Sequence, residues 1–538
     1  MILGEALVKL LEKYEVDTVF GIPGVHTLDA YRELPASGIR HITVRHEQGA
    51  GFAADGYARV TGKPGVCLLI SGPGLLNAAT PIGQAFADSI PMLVISSDNY
   101  LDSLGKGYGL LHEVTDLTAV TDPITAFSKT ITKPDELPAV FAAAFDIFES
   151  KRPRPVHISI PMDVLAAEVS VELFSSLDII RPSVKKAPAS KEIKAAVDLL
   201  INADSPLILV GGGGVEAGEP LQALAEWLPA AVITTNNGKG VVSDRHPLNL
   251  GGMTSRPAAQ AFVKEADVVL VMGSELSETD SYIDNYQFTG KIIRVDIDRE
   301  QFTKLYETTV GIEADARLAA EALLDAVRTQ SAKSDFESLA SALEKVRERA
   351  HQEVSVAESK HIAIVNAIQS ELPSHHVGIG DMTQISYTAT GFWQSDEARR
   401  WQYAAGFCTL GCALPMGIGA KLADPDLAVV VMIGDAGFQF TLSEIATAVE
   451  QKISMPIVIW NNAGLGAIRE HMDERGITRM AVDYGEGNPD FVALAQAYGC
   501  VGIRPKNLNE FKAAVRSGLE GDRPVLIDVV EELPWEAM

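Results

Sequence analysis

The chain has 538 residues, of which 47% are hydrophobic and 22% are charged, so it is a globular protein too long for one hydrophobic core. Its formal net charge of −26 argues against nucleic acid binding, which requires a basic surface. The opening amphipathic segment carries Glu5 and Glu12, which predicts a helix and not a signal peptide. No apolar run reaches the length of a membrane span.

The four cysteines are scattered along the chain, and three of them have apolar or glycine-rich neighbours. Cys408 and Cys412 have the spacing of half a metal site, but neither a second pair nor a histidine partner accompanies them. Buried thiols in a reducing cytoplasm are therefore the favoured interpretation.

Residues 1–180 are predicted to form the first of three α/β domains. Short apolar segments alternate with amphipathic ones, as in a doubly wound parallel sheet: DTVFGI, ITVRHE, GVCLLISG, PMLVISS and VHISIP. ITVRHE ends at Glu47, directly before a helix that begins QGAGFAADGYAR. A glutamate here either caps the helix and favours its positive end, or takes part in ligand chemistry.

Three loops of this domain bring polar or glycine residues to positions near strand ends, where α/β sheets bind ligands. GIPGVHT supplies Val25 and His26, SGPGLLNA supplies Gly72 and Asn77, and LGKGYGLLHEVTD supplies His112 with Glu113. A histidine of near-neutral pKa can carry protons. The alternatives are a surface position for His26 and helix capping for His112.

A Pro-, Lys- and Ser-rich segment at residues 181–190 predicts a linker, followed by a central α/β domain at residues 191–330. Its predicted strands are PLILVGGGG, AAVITT, VVLVMGSEL and KIIRVDID. The GGGG run lacks the GxGxxG pattern of a dinucleotide loop, so a scaffold without bound nucleotide is favoured. The acids of SELSETD, Glu275, Glu278 and Asp280, are either solvated loop charges or help to recognise a cationic ligand.

The third domain is predicted at residues 350–538, and a charged helical connection at residues 333–360 overlaps its start. VVVMI predicts a buried parallel strand, with the turn Gly434-Asp435-Ala436-Gly437 at its carboxyl end and a helix from about Thr441. PIVIW then brings Asn461 and Asn462 to the same rim. One carboxylate and one amide oxygen suit Mg²⁺ on a diphosphate, whereas an ordinary βαβ unit with solvated polar residues is the alternative.

GDAG followed by NN, together with RHEQGAGFAADGYAR, resembles the thiamine-diphosphate (ThDP) enzymes. The resemblance implies that Mg²⁺ is bound by Asp435, Asn462 and the carbonyl of Gly464. It also implies a diphosphate turn formed by residues 434–437, that is Gly434, Asp435, Ala436 and Gly437. Ala436 departs from the family pattern, which has glycine at that position.

Further cofactor contacts follow from the resemblance alone. Glu47 would be catalytic, because its hydrogen bond to the aminopyrimidine ring sets the tautomer of the cofactor. Gly72 and Asn77 would shape the cofactor pocket, Gln384 in GIGDMTQ would reach the diphosphate, and Leu410 in AAGFCTLGCALPMGIGA would support the bent cofactor.

The resemblance covers nearly the whole chain and implies three doubly wound parallel-sheet domains of class α/β: pyrimidine-binding, central and diphosphate-binding. In the family, each site forms between the first domain of one subunit and the third domain of another. A homodimer is therefore the minimum and a homotetramer is expected, in the cytoplasm and without nucleic acid or membrane partners. Some relatives carry FAD or ADP on the central domain, but FAD is not favoured here.

The activity implied is decarboxylation of a 2-oxo acid. GIPGVHT, RHEQGAGFAADGYAR, LLHEVTD and SELSETD most resemble the 5-guanidino-2-oxopentanoate decarboxylases of arginine catabolism. Substrate contacts would come from Val25, His26, His112, Glu113 and Ile468, with His112 also catalytic. Ile468 stands where pyruvate-type decarboxylases present a glutamate.

A guanidinium tail requires a planar carboxylate partner, and the local supply is Glu113, Asp116, Glu278 and Asp280. Two alternatives remain: an acetolactate synthase-like carboligase, with or without FAD, and a non-catalytic scaffold subunit. The segments typical of acetohydroxyacid synthases have no match here, and the presence of Glu47, Asp435 and Asn462 argues against a silent subunit.

Overall fold

The computed structural model describes residues 1–170, 179, 184–283, 285–330 and 335–535. The chain folds into three parallel sheets flanked by helices, which confirms the predicted α/β class. Among the described residues, no helix combines the length and apolar character needed to cross a bilayer.

The first domain contains a sheet that has six strands within the described residues, in the order β2-β1-β3-β4-β6-β5. The strands are β1 (Thr18–Gly21), β2 (Arg40–Thr43), β3 (Gly65–Leu69), β4 (Met92–Asp98), β5 (Phe127–Thr130) and β6 (Val156–Pro161). The helices are α1 (Leu3–Lys13), α2 (Leu28–Tyr31), α3 (Glu47–Thr61), α4 (Pro73–Asn77), α5 (Ala79–Asp88), α6 (Leu117–Thr121), α7 (Leu137–Ser150) and α8 (Met162–Leu165).

The central domain has, within the described residues, a five-stranded sheet in the order β11-β10-β9-β7-β8. Its strands are β7 (Pro206–Val210), β8 (Ala231–Thr234), β9 (Val268–Met272), β10 (Lys291–Asp296) and β11 (Val310–Glu313). The helices are α9 (Ser190–Ile201), α10 (Gly218–Trp227), α11 (Pro257–Lys264), α12 (Glu278–Ser281) and α13 (Ala316–Val327). Of the predicted linker, residues 184–189 lack regular structure, and residues 181–183 lie outside the described part of the chain.

Two helices, α14 (Phe336–Gln352) and α15 (Val356–Gln369), lead into the third sheet. In the described chain this sheet has six strands ordered β13-β12-β14-β15-β17-β16: β12 (His376–Gly380), β13 (Trp401–Tyr403), β14 (Ala428–Gly434), β15 (Met455–Asn461), β16 (Val501–Ile503) and β17 (Pro524–Val530). The helices are α16 (Gln384–Phe392), α17 (Ala413–Ala423), α18 (Asp435–Thr441), α19 (Ile445–Glu450), α20 (Gly466–Glu474), α21 (Phe491–Ala497) and α22 (Leu508–Glu520).

The first and third sheets share one strand order, because numbering each from its own first strand gives 2-1-3-4-6-5 in both. This repeated topology places loops after strands 1, 3 and 4 of each sheet at the same edge. Most of the candidate cofactor and substrate residues lie in those loops, whereas Glu47 and Leu410 follow the second strand of their sheets. Parallel sheets of this kind bind ligands at the carboxyl ends of their strands.

Helices α3 and α17 join the first and third domains into one continuous hydrophobic core. They approach so closely that a Cβ on Gly56 would lie 2.1 Å from the carbonyl oxygen of Met416, and one on Gly419 would lie 1.9 Å from that of Ala53. Glycine is required at both positions because any side chain would push the helices apart. The central domain has a separate core.

Two predicted boundaries were wrong. Strand β2 ends at Thr43, so Glu47 is the first residue of helix α3 and not the last residue of a strand. The helix expected near Thr441 already begins at Asp435 and ends at Thr441. A negative charge is favourable in the first turn of a helix, which is consistent with Asp435 opening α18.

Candidate active site

Glu47 opens helix α3, and its carboxylate lies in a largely buried position with 9% of the residue exposed. The side-chain amide of Asn77 donates a hydrogen bond to Glu47 Oε2 at 2.9 Å. Asn77 is the last residue of α4, at the end of the SGPGLLN segment. The structure thus brings together the two first-domain side chains that the sequence singled out in separate motifs.

His26 and His112 lie against each other, with ring centroids 5.2 Å apart and the rings tilted by 25°. The Nδ1 atom of each ring is buried and has no hydrogen-bond partner within the described residues. Burial and the charge of His112 lower the pKa of His26, and Asn99 and the backbone of Leu111 oppose this only in part. His26 is therefore favoured in its neutral form, which can accept a proton.

Gly72 lies against the backbone of His112. It has a positive φ of 59°, and a Cβ there would come within 2.5 Å of the carbonyl oxygen of His112. A residue with a side chain would be strained at this φ and would displace His112. Gly72 therefore couples the loop that carries Asn77 to the loop that carries His112.

The remaining first-domain candidates face other partners. The Glu113 carboxylate accepts hydrogen bonds from the backbone N–H groups of Tyr108 and Leu110, at 3.1 and 2.9 Å, which lowers its pKa. Asp116 caps helix α6, accepting from Thr118 Oγ1 at 2.7 Å and from the N–H of Ala119 at 3.0 Å. Both carboxylates hold their own loop, while the side chain of Val25 is exposed.

Three oxygen atoms converge at the carboxyl ends of β14 and β15. The side-chain oxygen of Asn462 lies 3.3 Å from Asp435 Oδ1 and 2.9 Å from the carbonyl oxygen of Gly464. None of these three atoms can donate a hydrogen bond, so their approach is unfavourable unless a cation lies among them or the Asn462 amide turns over. A carboxylate, an amide oxygen and a carbonyl are ligands of the type that Mg²⁺ takes, with phosphate and water completing its shell. These residues fit the expected Mg²⁺–diphosphate group.

No cluster of three or more His, Cys, Asp and Glu side chains suited to a metal occurs in the described parts of the chain. The oxygen cluster of Asp435, Asn462 and Gly464 contains one carboxylate, that of Asp435. Asp435 is buried and its Oδ2 accepts hydrogen bonds from the N–H of Gly464 at 3.0 Å and from Asn488 Nδ2 at 2.9 Å. Burial raises its pKa to about 6 against these donors.

The departure from the family motif at Ala436 is compatible with the structure, because Ala436 lies within helix α18. The neighbouring Gly437 is the position that requires glycine: a Cβ there would lie 2.7 Å from Asp381 Oδ1. Asp381 in turn accepts hydrogen bonds from the backbone of Gly411 and Ala413, both at 3.0 Å. It therefore fixes the loop of Leu410, which is partly buried against the core.

Gln384, the first residue of α16, lies beside the oxygen cluster. Its Oε1 accepts a hydrogen bond from Asn462 Nδ2 at 2.8 Å, and its Nε2 donates to Glu470 Oε1 at 2.5 Å. Glu470 belongs to helix α20, which also carries the exposed Ile468. Gln384 thus contacts a candidate metal ligand directly.

Sequence reasoning missed four polar residues that support the site: Asp381, Glu444, Glu470 and Asn488. Asp381 directly follows strand β12, and this strand-end position was a usable signal. The other three stand in segments without a recognisable motif.

Two of the central-domain acids, Glu275 and Asp280, line a cavity of about 560 Å³ where the three domains meet. Glu275 forms ion pairs with Arg152 and Arg154. Asp280 accepts from Ser277 Oγ at 3.2 Å, and burial raises its pKa to about 7. Glu278 is exposed.

The GGGG loop borders the same cavity, at the switch point between β7 and β9 where such sheets bind ligands. Three of its four backbone N–H groups are already used: Gly211 donates to Met272, Gly213 to Gly273 and Gly214 to Gly211, at 2.9 to 3.0 Å. These groups do not point to a phosphate.

Large apolar side chains are exposed next to both sets of site residues. In the first domain they flank the loops of His26, Asn77 and His112, and they are Val25, Leu28, Leu76, Tyr108 and Leu111. In the third domain they belong to α18, α20 and the segment after α20, and they are Phe440, Ile468, Ile477 and Met480.

Comparison with family models matches the chain in three parts. Residues 1–120 match the N-terminal TPP binding domain of thiamine pyrophosphate enzymes, residues 193–323 their central domain and residues 381–529 their C-terminal TPP binding domain. Thiamine pyrophosphate (TPP) is another name for ThDP. The matched ranges contain the Glu47–Asn77 pair and the Asp435–Asn462–Gly464 oxygen cluster.

Individual relatives align over almost the whole chain. It is 45% identical to a probable 2-ketoarginine decarboxylase of Pseudomonas aeruginosa, over 98% of this chain and 93% of the relative. It is 33% identical to an acetolactate synthase large subunit of Corynebacterium glutamicum (98% and 86%) and 30% identical to the isozyme 3 large subunit of Escherichia coli acetolactate synthase (98% and 94%). The chain belongs to the thiamine pyrophosphate enzymes.

Proposed function

We propose that the chain catalyses the ThDP- and Mg²⁺-dependent, non-oxidative decarboxylation of 5-guanidino-2-oxopentanoate, also called 2-ketoarginine, to an aldehyde and CO₂. The single observation that supports this substrate best is the 45% identity to a protein described as a 2-ketoarginine decarboxylase. The contact between Glu47 and Asn77 and the oxygen cluster around Asn462 support the cofactor.

The cofactor, when bound, supplies a cationic ring that accepts the electrons released with CO₂. In the proposal, Asp435, Asn462 and the Gly464 carbonyl bind Mg²⁺. Glu47 would form a hydrogen bond with the aminopyrimidine ring, through which a proton can pass, and Asn77 would keep the Glu47 carboxylate in place. Charge-assisted contacts of this kind are short and directional.

Gly72, Gly434, Ala436, Gly437, Gln384 and Leu410 complete the proposed cofactor pocket. The histidine pair is assigned to proton transfer in the site, because neutral His26 can accept a proton and the Nδ1 atom of each ring is buried without a hydrogen-bond partner in the described residues. His112 is the proposed catalytic histidine. Val25 and Ile468 would contact the substrate through apolar surface.

The guanidinium tail needs a carboxylate, and the contacts of the acids narrow the choice. Glu113 and Asp116 are held by hydrogen bonds to their own loops. We assign the tail to Glu278 and Asp280 of the central domain, because Glu278 is exposed and Asp280 lines the cavity where the three domains meet. They lie next to Tyr282, whose hydroxyl is 2.5 Å from that of Tyr403 in the third domain.

We further propose a homodimer as the minimum assembly, with a homotetramer expected and each site formed between subunits. The exposed apolar side chains beside both sets of site residues support this, because such surfaces usually become buried in assemblies. The domain limits 1–180, 191–330 and 350–538 remain a prediction. A cytoplasmic location is supported by the four cysteines, which are all free thiols.

An acetolactate synthase-like carboligase is the second candidate function. It is favoured by the 30–33% identity to several acetolactate synthases. FAD on the central domain would accompany that function in some relatives, although most N–H groups of the GGGG loop are already used.

The test measures CO₂ release from 5-guanidino-2-oxopentanoate and from pyruvate, with ThDP and Mg²⁺, beside Glu47→Gln. Preference for the guanidino acid, abolished by Glu47→Gln, is the expected result. Acetolactate formation from pyruvate would move the protein to the carboligase function, and flavin absorbance in the purified protein would support that outcome. Absence of ThDP binding would support a non-catalytic scaffold subunit.

A further inference from the structure

We propose that Glu470 is a positioning residue for the metal: acting through Gln384, it keeps the side-chain oxygen of Asn462 turned toward the cation. The inference rests on the proposed Mg²⁺ site and assigns a new residue to it. Glu470 itself does not contact the candidate ligands.

Two hydrogen bonds connect Glu470 to Asn462. Gln384 Nε2 donates to Glu470 Oε1 at 2.5 Å, and Asn462 Nδ2 donates to Gln384 Oε1 at 2.8 Å. Both intermediate groups are amides, which carry a donor and an acceptor and can be turned over to exchange them. The orientation of both amides therefore depends on the group at the end of this series of hydrogen bonds, Glu470.

An ionised carboxylate can only accept hydrogen bonds. Glu470 consequently requires Gln384 to present its NH₂ group, so that the Gln384 oxygen faces Asn462. Asn462 must then use its own NH₂ group toward Gln384. Its oxygen is left pointing at Asp435 and Gly464, which is the orientation in which it can bind a metal.

The opposite orientation of Asn462 competes with this one. With the amide turned over, its nitrogen would donate to Asp435 Oδ1 at 3.3 Å and to the Gly464 carbonyl at 2.9 Å. That arrangement satisfies the cluster without a cation and offers no oxygen from Asn462. A residue that disfavours it therefore increases the affinity for the metal, as polar neighbours of metal ligands generally do.

Glu470 forms its hydrogen bond with Gln384, and no basic side chain competes for its carboxylate among the described residues. In the described chain no lysine, arginine or histidine lies within ion-pair distance of Glu470. Its neighbour Arg469 turns elsewhere, donating to the carbonyl oxygen of Asn462 at 3.0 Å and pairing with Asp483 at 3.0 Å. Arg469 thus holds the backbone of Asn462, and Glu470 acts on its side chain.

The test uses full-length protein with ThDP and Mn²⁺ as the probe, with bound and free Mn²⁺ distinguished by electron paramagnetic resonance. Glu470→Ala should weaken Mn²⁺ binding about tenfold, the usual effect of losing such a partner. Glu474→Ala is the matched control, because Glu474 lies on the same helix and its hydrogen bond is to His471. The control should bind Mn²⁺ like the wild type.

Two variants that move the carboxylate from position 470 to position 384 test the direction of these hydrogen bonds. In Gln384→Glu the new carboxylate would face Glu470 and repel it, so Mn²⁺ binding should weaken. In the double variant Gln384→Glu with Glu470→Gln, the carboxylate at position 384 accepts from both Asn462 and the new amide. This restores the direction and should recover most of the affinity, which a loss of packing would not do.

Equal Mn²⁺ affinity of Glu470→Ala and wild type would overturn the inference, as would a double variant no better than Gln384→Glu alone. Both results leave the proposed metal site intact if the wild type binds Mn²⁺. A wild type that binds no Mn²⁺ in the presence of ThDP would overturn the proposed function together with this inference. Circular dichroism at the temperature of the binding assay checks that each variant is folded.

Discussion

Glu444 Oε1 accepts a hydrogen bond from the backbone N–H of His46 at 3.0 Å. The two residues belong to the third and first domains, and His46 directly precedes Glu47. Thr447 donates to the other oxygen of the buried Glu444 carboxylate at 2.6 Å. The third domain of a chain therefore fixes the start of the helix that carries Glu47 in the same chain.

We expect Glu444→Gln to lower the free energy of unfolding by about 1–3 kcal/mol, because an amide cannot accept all the hydrogen bonds that the buried carboxylate receives. Urea unfolding measures the loss. Glu450→Gln is the control, since Glu450 forms an exposed ion pair with Arg45 of a kind worth at most about 1 kcal/mol. Equal stabilities of the two variants would contradict the assignment.

Glu47→Gln should reduce turnover by about 10²–10⁴-fold, the usual contribution of a positioned proton donor or acceptor. The amide retains the size of Glu47 and its contact with Asn77 through oxygen. ThDP binding, followed by quenching of tryptophan fluorescence, should therefore change far less than turnover. A variant with nearly full activity would remove Glu47 from the catalytic residues.

Gly466→Ala should weaken metal binding by about tenfold or more. A Cβ at Gly466 would lie 2.2 Å from Asn462 Nδ2 and 2.7 Å from Gln384 Oε1, so these amides must shift and their hydrogen bond should be disturbed. The control is Gly487→Ala, because nothing lies within 4 Å of a Cβ there. Mg²⁺ titration of ThDP binding compares the two, and identical curves would rule out the expected collision.

Glu278→Gln and Asp280→Asn should raise KM for 5-guanidino-2-oxopentanoate about 10–100-fold, equivalent to losing a charged hydrogen bond of about 1.5–3 kcal/mol. KM for 2-oxohexanoate, which has no cationic tail, should change little. Glu113→Gln serves as the comparison because its carboxylate holds the loop of Tyr108 and Leu110. A larger KM effect for Glu113→Gln would transfer the recognition of the tail to the first domain.

His157 should make folding sensitive to acid. It is completely buried between Ser96, Thr121 and Ser128, and burial lowers its pKa from 6.5 to about 3. Because the unfolded chain binds this proton more readily, the stabilising contribution is complete above pH 6.5 and declines as the pH falls toward 3.

The decline should be about 1.4 kcal/mol per pH unit within that window, or about 2 kcal/mol between pH 6.5 and 5. The variant His157→Gln lacks this titration. The difference in unfolding free energy between wild type and variant should therefore shrink by about that amount when urea unfolding is repeated at pH 5. A constant difference would show that folding does not lower the pKa of His157.

Prediction from sequence succeeded where burial leaves a continuous apolar run. The inner strands β14 and β15 are buried along nearly their whole length, and their sequences predicted them directly. One inner strand, β17, has a buried apolar run that was overlooked. The other unpredicted strands are β5, β11, β13 and β16, and these four lie at sheet edges. Three of them are only partly buried and the fourth has three residues, so none has a periodic apolar pattern.

The site was predictable where one motif carries both partners, as with Asn462 and Gly464. It was not predictable where a polar contact joins distant segments. Glu444 and His46 are 398 positions apart, and Gln384 and Glu470 are 86 apart. A lone carboxylate in a helical segment looks the same whether it is solvated or holds a distant group, so only the three-dimensional structure identifies its partner.

The glycine-mediated contact between α3 and α17 has a consequence for synthesis. Arg40, the first residue of β2, donates a hydrogen bond to the Leu422 carbonyl of α17 across 382 positions of sequence. The small-residue face of α3 is therefore synthesised long before α17. Until α17 is made, this face of the first domain stays exposed to solvent. Such late contacts slow folding and favour aggregation. A fragment ending before α17 should be insoluble on its own, and co-expression with the missing C-terminal segment should rescue it.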